Sequence, residues 1–324
     1  MEVYLSLADG KVFVGNRLTQ KEEACGLLSF NTSAFAFEES ITNPSCTGKI
    51  MMFTYPLVGI AGINFEDNQS NIVTIEAVIC KENSDIYSNF RAKTSIKDYL
   101  EKNNKLYADK FDTRAIMIYL REHGEMPAVI SDRIYTKEEV AEKFSSQNFN
   151  YKQVNYPLNT NKKIKAKIID LGGSKTFYNF MNEIGIYSSE EDTDIAILSN
   201  ASFETYNKSE YVDLVKSLKD KKIIAFGDSN VLIAKAFGLE CKSLKAGHHG
   251  ANIPVKNINT GKDHITGQNH LYYIPEQDNI EVLYKNIHDN TTEIYISADN
   301  KFAGFNFKPS SETFISILNR MGVK

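Results

Sequence analysis

Apolar positions in the first third of the chain recur at strand-like intervals. Val3-Tyr4-Leu5-Ser6-Leu7 and Val12-Phe13-Val14 flank Asp9-Gly10. Aspartate followed by glycine supplies the positive φ of a tight turn, so this stretch predicts a β-hairpin. Leu27–Asn31, Ile50–Thr54 and Ile72–Cys80 read as further strands. The period then lengthens. Ser95–Glu101 and Thr113–Glu122 predict helices, the second capped by Asp112 or Thr113. Thr136-Lys137-Glu138-Glu139 is a capping box that opens a third.

Residues 145–163 carry no period. They are polar and asparagine-rich, which reads as a linker. Beyond them strands and helices alternate. Ile164–Asp170 predicts a strand that ends at Gly172-Gly173, and Ser174 caps a helix running to Glu183. Asp194–Leu198 and Ile223–Phe226 read as buried strands. Ser209–Lys219 and Val231–Phe237 read as helices. Short strands and turns are expected over 241–307, and a helix over Glu312–Arg320. Such alternation implies a parallel sheet covered on both faces. Sites in such sheets lie at the carboxyl ends of strands, which directs attention to Gly172, Asn200 and Gly227.

A chain of 324 residues fits two domains, here 1–150 and 160–324. Lys plus Arg is 37 against 41 for Asp plus Glu, a net charge of −4. That balance speaks against a nucleic-acid partner, which needs cations to displace phosphate counterions. No apolar run approaches the roughly 18 residues of a membrane span. The opening MEVYLSLADG lacks the apolar core of a signal peptide, so a cytoplasmic location is expected. Cys25, Cys46, Cys80 and Cys241 are scattered, without a C-x-x-C pair, which speaks against structural zinc and a disulfide scaffold. One of them as a nucleophile stays open at this level.

Several segments together resemble the small, glutamine-hydrolysing subunit of carbamoyl phosphate synthetase. They include Leu7-Ala8-Asp9-Gly10, Phe30-Asn31-Thr32-Ser33, Thr42-Asn43-Pro44-Ser45, Phe53–Gly59, Ser88–Arg91 and Phe111–Arg114. In the second half they are Asp170–Gly173, Leu198-Ser199-Asn200, Gly247–Lys256 and Ile265–His270. The Gly247–Lys256 run is the most specific, and the order holds from end to end. The resemblance implies an α/β protein: a β-rich N-terminal small-subunit domain that docks on a large synthetase subunit, then a class I glutamine amidotransferase-like domain with a mostly parallel sheet. It also implies a cysteine on a strand–turn–helix elbow, a histidine that shuttles its proton and a glutamate that orients the histidine. No cofactor and no metal are implied.

The chain departs from that pattern at each catalytic position. Counted back without gaps, the elbow is Ala225-Phe226-Gly227-Asp228-Ser229-Asn230-Val231, with Gly227 where the cysteine is expected. Aligning Phe226-Gly227 with the family's F-G instead brings Ser229 there. Lys308 stands for the histidine and Ser310 for the glutamate. Lysine has no imidazole to relay protons near neutral pH. The family's glycine-rich pocket loop reads Ser199-Asn200-Ala201-Ser202-Phe203-Glu204-Thr205. Ala201 adds a Cβ, and Phe203 adds a ring able to fill the pocket. Leu271 replaces a glycine after Gln268-Asn269-His270. Ser45, Gln268 and Asn269 survive among the glutamine contacts that the resemblance implies. Gly227 relaxes the strain of the elbow, while Asp228, Ser229 and Asn230 all suit helix capping.

Three functions remain distinct. The first is a degenerate small subunit that binds a large subunit using ammonia, in pyrimidine or arginine synthesis, with residual glutamine or another small molecule in its pocket. The second is a free-standing interaction protein. The third is a glutamine hydrolase with Ser229 as nucleophile, against which capping by Ser229 is the plainer reading. His248-His249 suggests metal only superficially, because adjacent strand residues point apart. His264 and His270 read as loop histidines, and Gly172-Gly173 lacks the rest of a phosphate loop.

Overall fold

Asp9-Gly10 turns the chain sharply: Gly10 has φ 92°, and β1 (Glu2–Leu7) pairs antiparallel with β2 (Val12–Arg17). The computed structural model describes residues 1–149, 156–158, 164–189 and 193–323. The chain forms two compact units, Met1–Tyr151 and Lys152–Lys324. In the first unit β3 (Ala24–Asn31) is followed by α1 (Phe37–Thr42), β4 (Lys49–Phe53), the short β5 (Leu57–Val58), β6 (Ala77–Ile79) and β7 (Glu82–Asn83). Then come α2 (Ile96–Lys102), β8 (Leu106–Asp109), α3 (Thr113–His123), β9 (Met126–Ser131) and α4 (Lys137–Ser146). The strands close a barrel in the order β1-β2-β8-β6-β4-β3-β9.

Helix starts follow the local chemistry of the sequence. Ser95, Asp112 and Thr136 each accept a backbone N–H with the side chain, and Thr136 and Glu139 complete both halves of a capping box. Two expectations change. The strand expected over Ile72–Cys80 is only Ala77–Ile79, because Thr74 bonds the carbonyls of Ile41 and Asn43 at the end of α1 rather than a ladder. The expected linker begins too early: α4 runs to Ser146, and Phe149 is buried against Gly48 and Phe144. Within the rest of it, 150–155 and 159–163 lie outside the described residues.

The second unit holds β10 (Ile164–Ile169), α5 (Lys175–Ile184), β11 (Ile186–Ser188), β12 (Ile195–Leu198), α6 (Phe203–Tyr206) and α7 (Ser209–Ser217). It continues with β13 (Lys222–Phe226), α8 (Asn230–Phe237), β14 (Lys242–Asn257), β15 (Asp263–Tyr273), β16 (Ile280–Asn286), β17 (Thr292–Ser297), β18 (Phe302–Phe305) and α9 (Ser311–Arg320). One sheet runs β11-β10-β12-β13-β18-β17-β16-β14-β15. The pairs from β11 to β18 are parallel and the pairs from β18 to β15 antiparallel. Burial of β12, β13 and β18 on both faces explains their apolar runs, whereas β10, nearer the edge, carries Lys165 and Lys167. Ile195, Ile197, Ile224 and Phe226 pack with α5 and α9, whereas Ala196, Leu198, Ile223 and Ala225 pack with α7 and α8. The short strands and turns expected over 241–307 hold for β16, β17 and β18 but not for the first part of the region. That part is dominated by the long hairpin β14–β15. Among the described residues no helix is long and apolar enough to cross a membrane.

Candidate functional site

The parallel strands deliver their carboxyl ends to one rim. There β13 ends at Phe226, the chain turns through Gly227–Ser229, and α8 begins at Asn230. Gly227 is the tip of this elbow, with φ 54°. Glycine meets that left-handed conformation without the steric penalty of a Cβ.

The space beside Gly227 is already taken. A Cβ built there would lie 2.3 Å from Asn200 Oδ1 and 2.5 Å from its Cγ. Asn200 follows β12, and two hydrogen bonds hold its amide across the turn. Its Nδ2 donates to the Asn269 carbonyl at 3.0 Å, and its Oδ1 accepts from the Asp228 N–H at 2.9 Å. In a nucleophile elbow the N–H just after the tip is an oxyanion donor. Here that N–H is spent on a side chain of the same protein.

Asp228 closes a second set of donors. It is buried, and its Oδ1 accepts from the N–H of Leu271 at 2.8 Å and of Tyr272 at 3.0 Å. Two adjacent amides converging on one carboxylate form an anion cradle, filled from within. The same device recurs after β10. Asp170 Oδ1 accepts from the N–H groups of Gly172 at 3.2 Å and Gly173 at 2.7 Å. Glycine turns at this rim therefore present amides that the chain's own polar side chains consume.

The three polar residues proposed as helix caps do other work. Asp228 faces the 271–272 backbone. Ser229 is fully buried, its hydroxyl donating back to the Phe226 carbonyl at 2.7 Å, and it makes no side-chain cap. Asn230 donates to the Gly227 carbonyl and to Asn306 Oδ1, and accepts from the Tyr295 hydroxyl. This buried network ties the elbow to the strands beneath it.

The remaining candidates separate. Ala201 is buried in the core, while Ser202 caps α6 in a capping box with Thr205. The ring of Phe203 packs against Tyr206 on that helix, with centroids 5.8 Å apart, so the side chain standing at the elbow is Asn200 and not Phe203. Along β15 the side chains alternate. Asn269 Oδ1 meets His249 Nδ1 at 2.7 Å, while Gln268 meets His270. His264 and His270 both lie in β15 and are strand histidines rather than loop ones, His264 exposed and His270 buried. Leu271 enters through its backbone.

Lys308 is half-exposed, 3.5 Å from Glu183 and over the Phe180 ring. Ser310 caps α9 by accepting from the Thr313 N–H at 3.2 Å. Ser45 belongs to the first unit, where its Oγ donates to Asn43 at 2.9 Å. Burial pushes the thiols of Cys25, Cys80 and Cys241 up to about 12. A thiolate, the reactive form, is therefore suppressed at all three near neutral pH. Sequence reasoning missed the role of Asp228 because an Asp at a helix start reads as a cap.

The family to which these elements belong is established by similarity. Residues 5–130 match the family described as Carbamoyl-phosphate synthase small chain, CPSase domain, and residues 154–313 match Glutamine amidotransferase class-I. A carbamoyl phosphate synthase small chain of Caldanaerobacter subterraneus is 32% identical over 319 residues, covering 90% of this chain and 86% of that one. The small chain of Clostridium perfringens is 32% identical, covering 90% and 89%. That of Campylobacter jejuni is 31% identical, covering 86% of each. Similarity of this level along both units shows that the chain belongs to the carbamoyl phosphate synthase small chain family.

Proposed function

We propose that this protein is a small chain without glutaminase activity, acting as the structural or regulatory partner of a synthetase large subunit that takes its nitrogen from ammonia. The observation that carries the reading is the elbow itself. Gly227 offers no nucleophile, and the amide of Asn200 stands where a side chain at the tip would project. Acyl transfer to an enzyme also needs a base within hydrogen-bond reach and free oxyanion donors. Lys308 and Ser310 are engaged elsewhere, and the Asp228 N–H is bonded to Asn200.

The partner half of the proposal draws on the first unit. Ile86 and Phe90 are 79% and 95% exposed, and Ile60 and Phe65 also face solvent. The two loops that carry them are bonded to each other, Ser88 N–H donating to the Ile60 carbonyl. Exposed apolar side chains on ordered loops suit a protein interface. The cytoplasm is the compartment this role requires.

The test is glutamate release from glutamine, measured for the chain alone and after co-purification with a large subunit. No release is expected in either case, with ammonia supporting synthesis by the complex. Turnover at ordinary amidotransferase rates, abolished by Ser229→Ala, would show instead that Ser229 is a nucleophile.

A further inference from the structure

Three strands away from the elbow bring His248 of β14, His270 of β15 and Glu293 of β17 together. One potential ligand atom from each lies within 4.8 Å of the other two. The side chains of His270 and Glu293 are wholly buried, and that of His248 is 12% exposed.

The outer ring nitrogens are spoken for. His270 Nδ1 lies 2.9 Å from the Tyr272 carbonyl, which only accepts, so that nitrogen carries the proton. His248 Nε2 lies 2.9 Å from Asp289 Oδ2, which holds its proton in the same way. With a metal bound, neutral imidazoles in these tautomers turn bare lone pairs inward; without one, the two carboxylates favour a protonated His248. His248 Nδ1 is 3.0 Å from Glu293 Oε1, and His270 Nε2 is 3.4 Å from Glu293 Oε2. Gln268 Oε1 joins them, 3.1 Å from His270 Nε2, with its own amide N–H donated to Thr266. Asn286 Nδ2 donates to Glu293 Oε1 at 3.2 Å and lies 3.4 Å from His248 Nδ1. The remaining acceptors repel unless a metal cation lies among them or an imidazole takes up a second proton.

An independent observation points the same way. Glu293 Oε2 is buried with no hydrogen-bond partner among the described residues. A buried carboxylate oxygen left unbonded is costly unless paired or coordinated. Spacing agrees as well. Tetrahedral bonds of about 2.0–2.1 Å to nitrogen and oxygen give ligand–ligand edges of roughly 3.3 Å.

We propose that His248 Nδ1, His270 Nε2 and the Glu293 carboxylate form a binding site for a zinc-class divalent cation, with Gln268 Oε1 as fourth donor. Imidazole donors select this class over magnesium or calcium, which prefer all-oxygen sets. Two positive charges balance Glu293 and Asp289. Outer-shell carboxylate and carbonyl groups that orient ligating histidines are the usual companions of such a site. Asp289, 40% exposed, marks the route in. The ion would staple β17 to the β14–β15 hairpin. The expectation that adjacent histidines diverge holds for His248 and His249, whose rings meet Glu293 and Asn269 respectively. The ligands that join His248 come from other strands.

The test strips the full chain with a chelator and titrates it with zinc chloride, and with cobalt(II) as a spectroscopic probe. About one equivalent of zinc is expected, with a raised thermal midpoint and a tetrahedral cobalt absorption. His248→Gln and Glu293→Gln each weaken binding by at least about tenfold, and Asp289→Asn by about 10–100-fold. His264→Gln, at an exposed histidine of the same hairpin, leaves it unchanged. If Glu293→Gln fails to fold, His248→Gln carries the test, because its side chain reaches the surface. Protonated imidazoles in place of a metal would appear as less than about a tenth of an equivalent bound, and that result overturns the proposal. Undiminished zinc binding by His248→Gln overturns it too.

Discussion

Asn200 does at the elbow what a bound ligand does in an open pocket: it satisfies the donor that follows the tip. Counting along the chain identifies Gly227 and places Asn200 near the pocket, but nothing local states that the amide turns inward. That orientation depends on the Asn269 carbonyl and the Asp228 N–H, on separate elements. The consequence is testable. Gly227→Cys puts a side chain into a left-handed conformation, which costs about 1–2 kcal/mol, and drives its Cβ onto Asn200. Its urea midpoint should fall by at least that equivalent, and it should release no glutamate. Asn200→Gly removes the overlap, so the double variant should be more stable than the sum of the single effects predicts. Strict additivity would mean that Asn200 is not the obstruction.

Elements differ in how openly the sequence announces them. A helix start is a matter of four residues, so Asp112, Thr136 and Ser174 are legible as caps, and each does cap; Ser95, read as the first residue of its helix, is the cap instead. Thr136→Ala should therefore cost about 1 kcal/mol, read as a shift in denaturation midpoint. A change within error would show that α4 is held by packing alone. The β14–β15 hairpin is the opposite case. Its ladder shifts register between Ser243 and His248, and again between Gly250 and Ile253. Each bulge breaks the period of two that marks a strand. Gly247, Gly250 and Pro254 then read as turns, although β14 runs through all three. Length and pairing here come from strands that are remote in the chain.

Across the whole molecule, three of the scattered thiols, Cys25, Cys80 and Cys241, are kept from ionising by desolvation. Cys25, Cys80 and Cys241 hold their protons up to about 12, where an ordinary thiol loses its own near 9. Between those values the unfolded chain binds fewer protons than the folded one, so stability must fall as pH rises. Their contribution is fully present below about pH 9 and lost on approach to about 12. Urea midpoints measured from pH 8 upward should decline from about pH 9, and Cys80→Ala should flatten part of that decline. A flat profile in the parent chain would show that these thiols ionise as freely folded as unfolded. The sequence by itself determined what rests on residue identity and short-range order. It carried the family motifs, the helix caps and the alternation behind the α/β unit. It also placed Gly227, Lys308 and Ser310 where a thiol, an imidazole and a carboxylate are expected. Only the tertiary structure decided what fills the vacated elbow, where Asp228 points, and that His248, His270 and Glu293 meet. Those outcomes depend on contacts between residues far apart in the chain, and no local pattern encodes such a meeting.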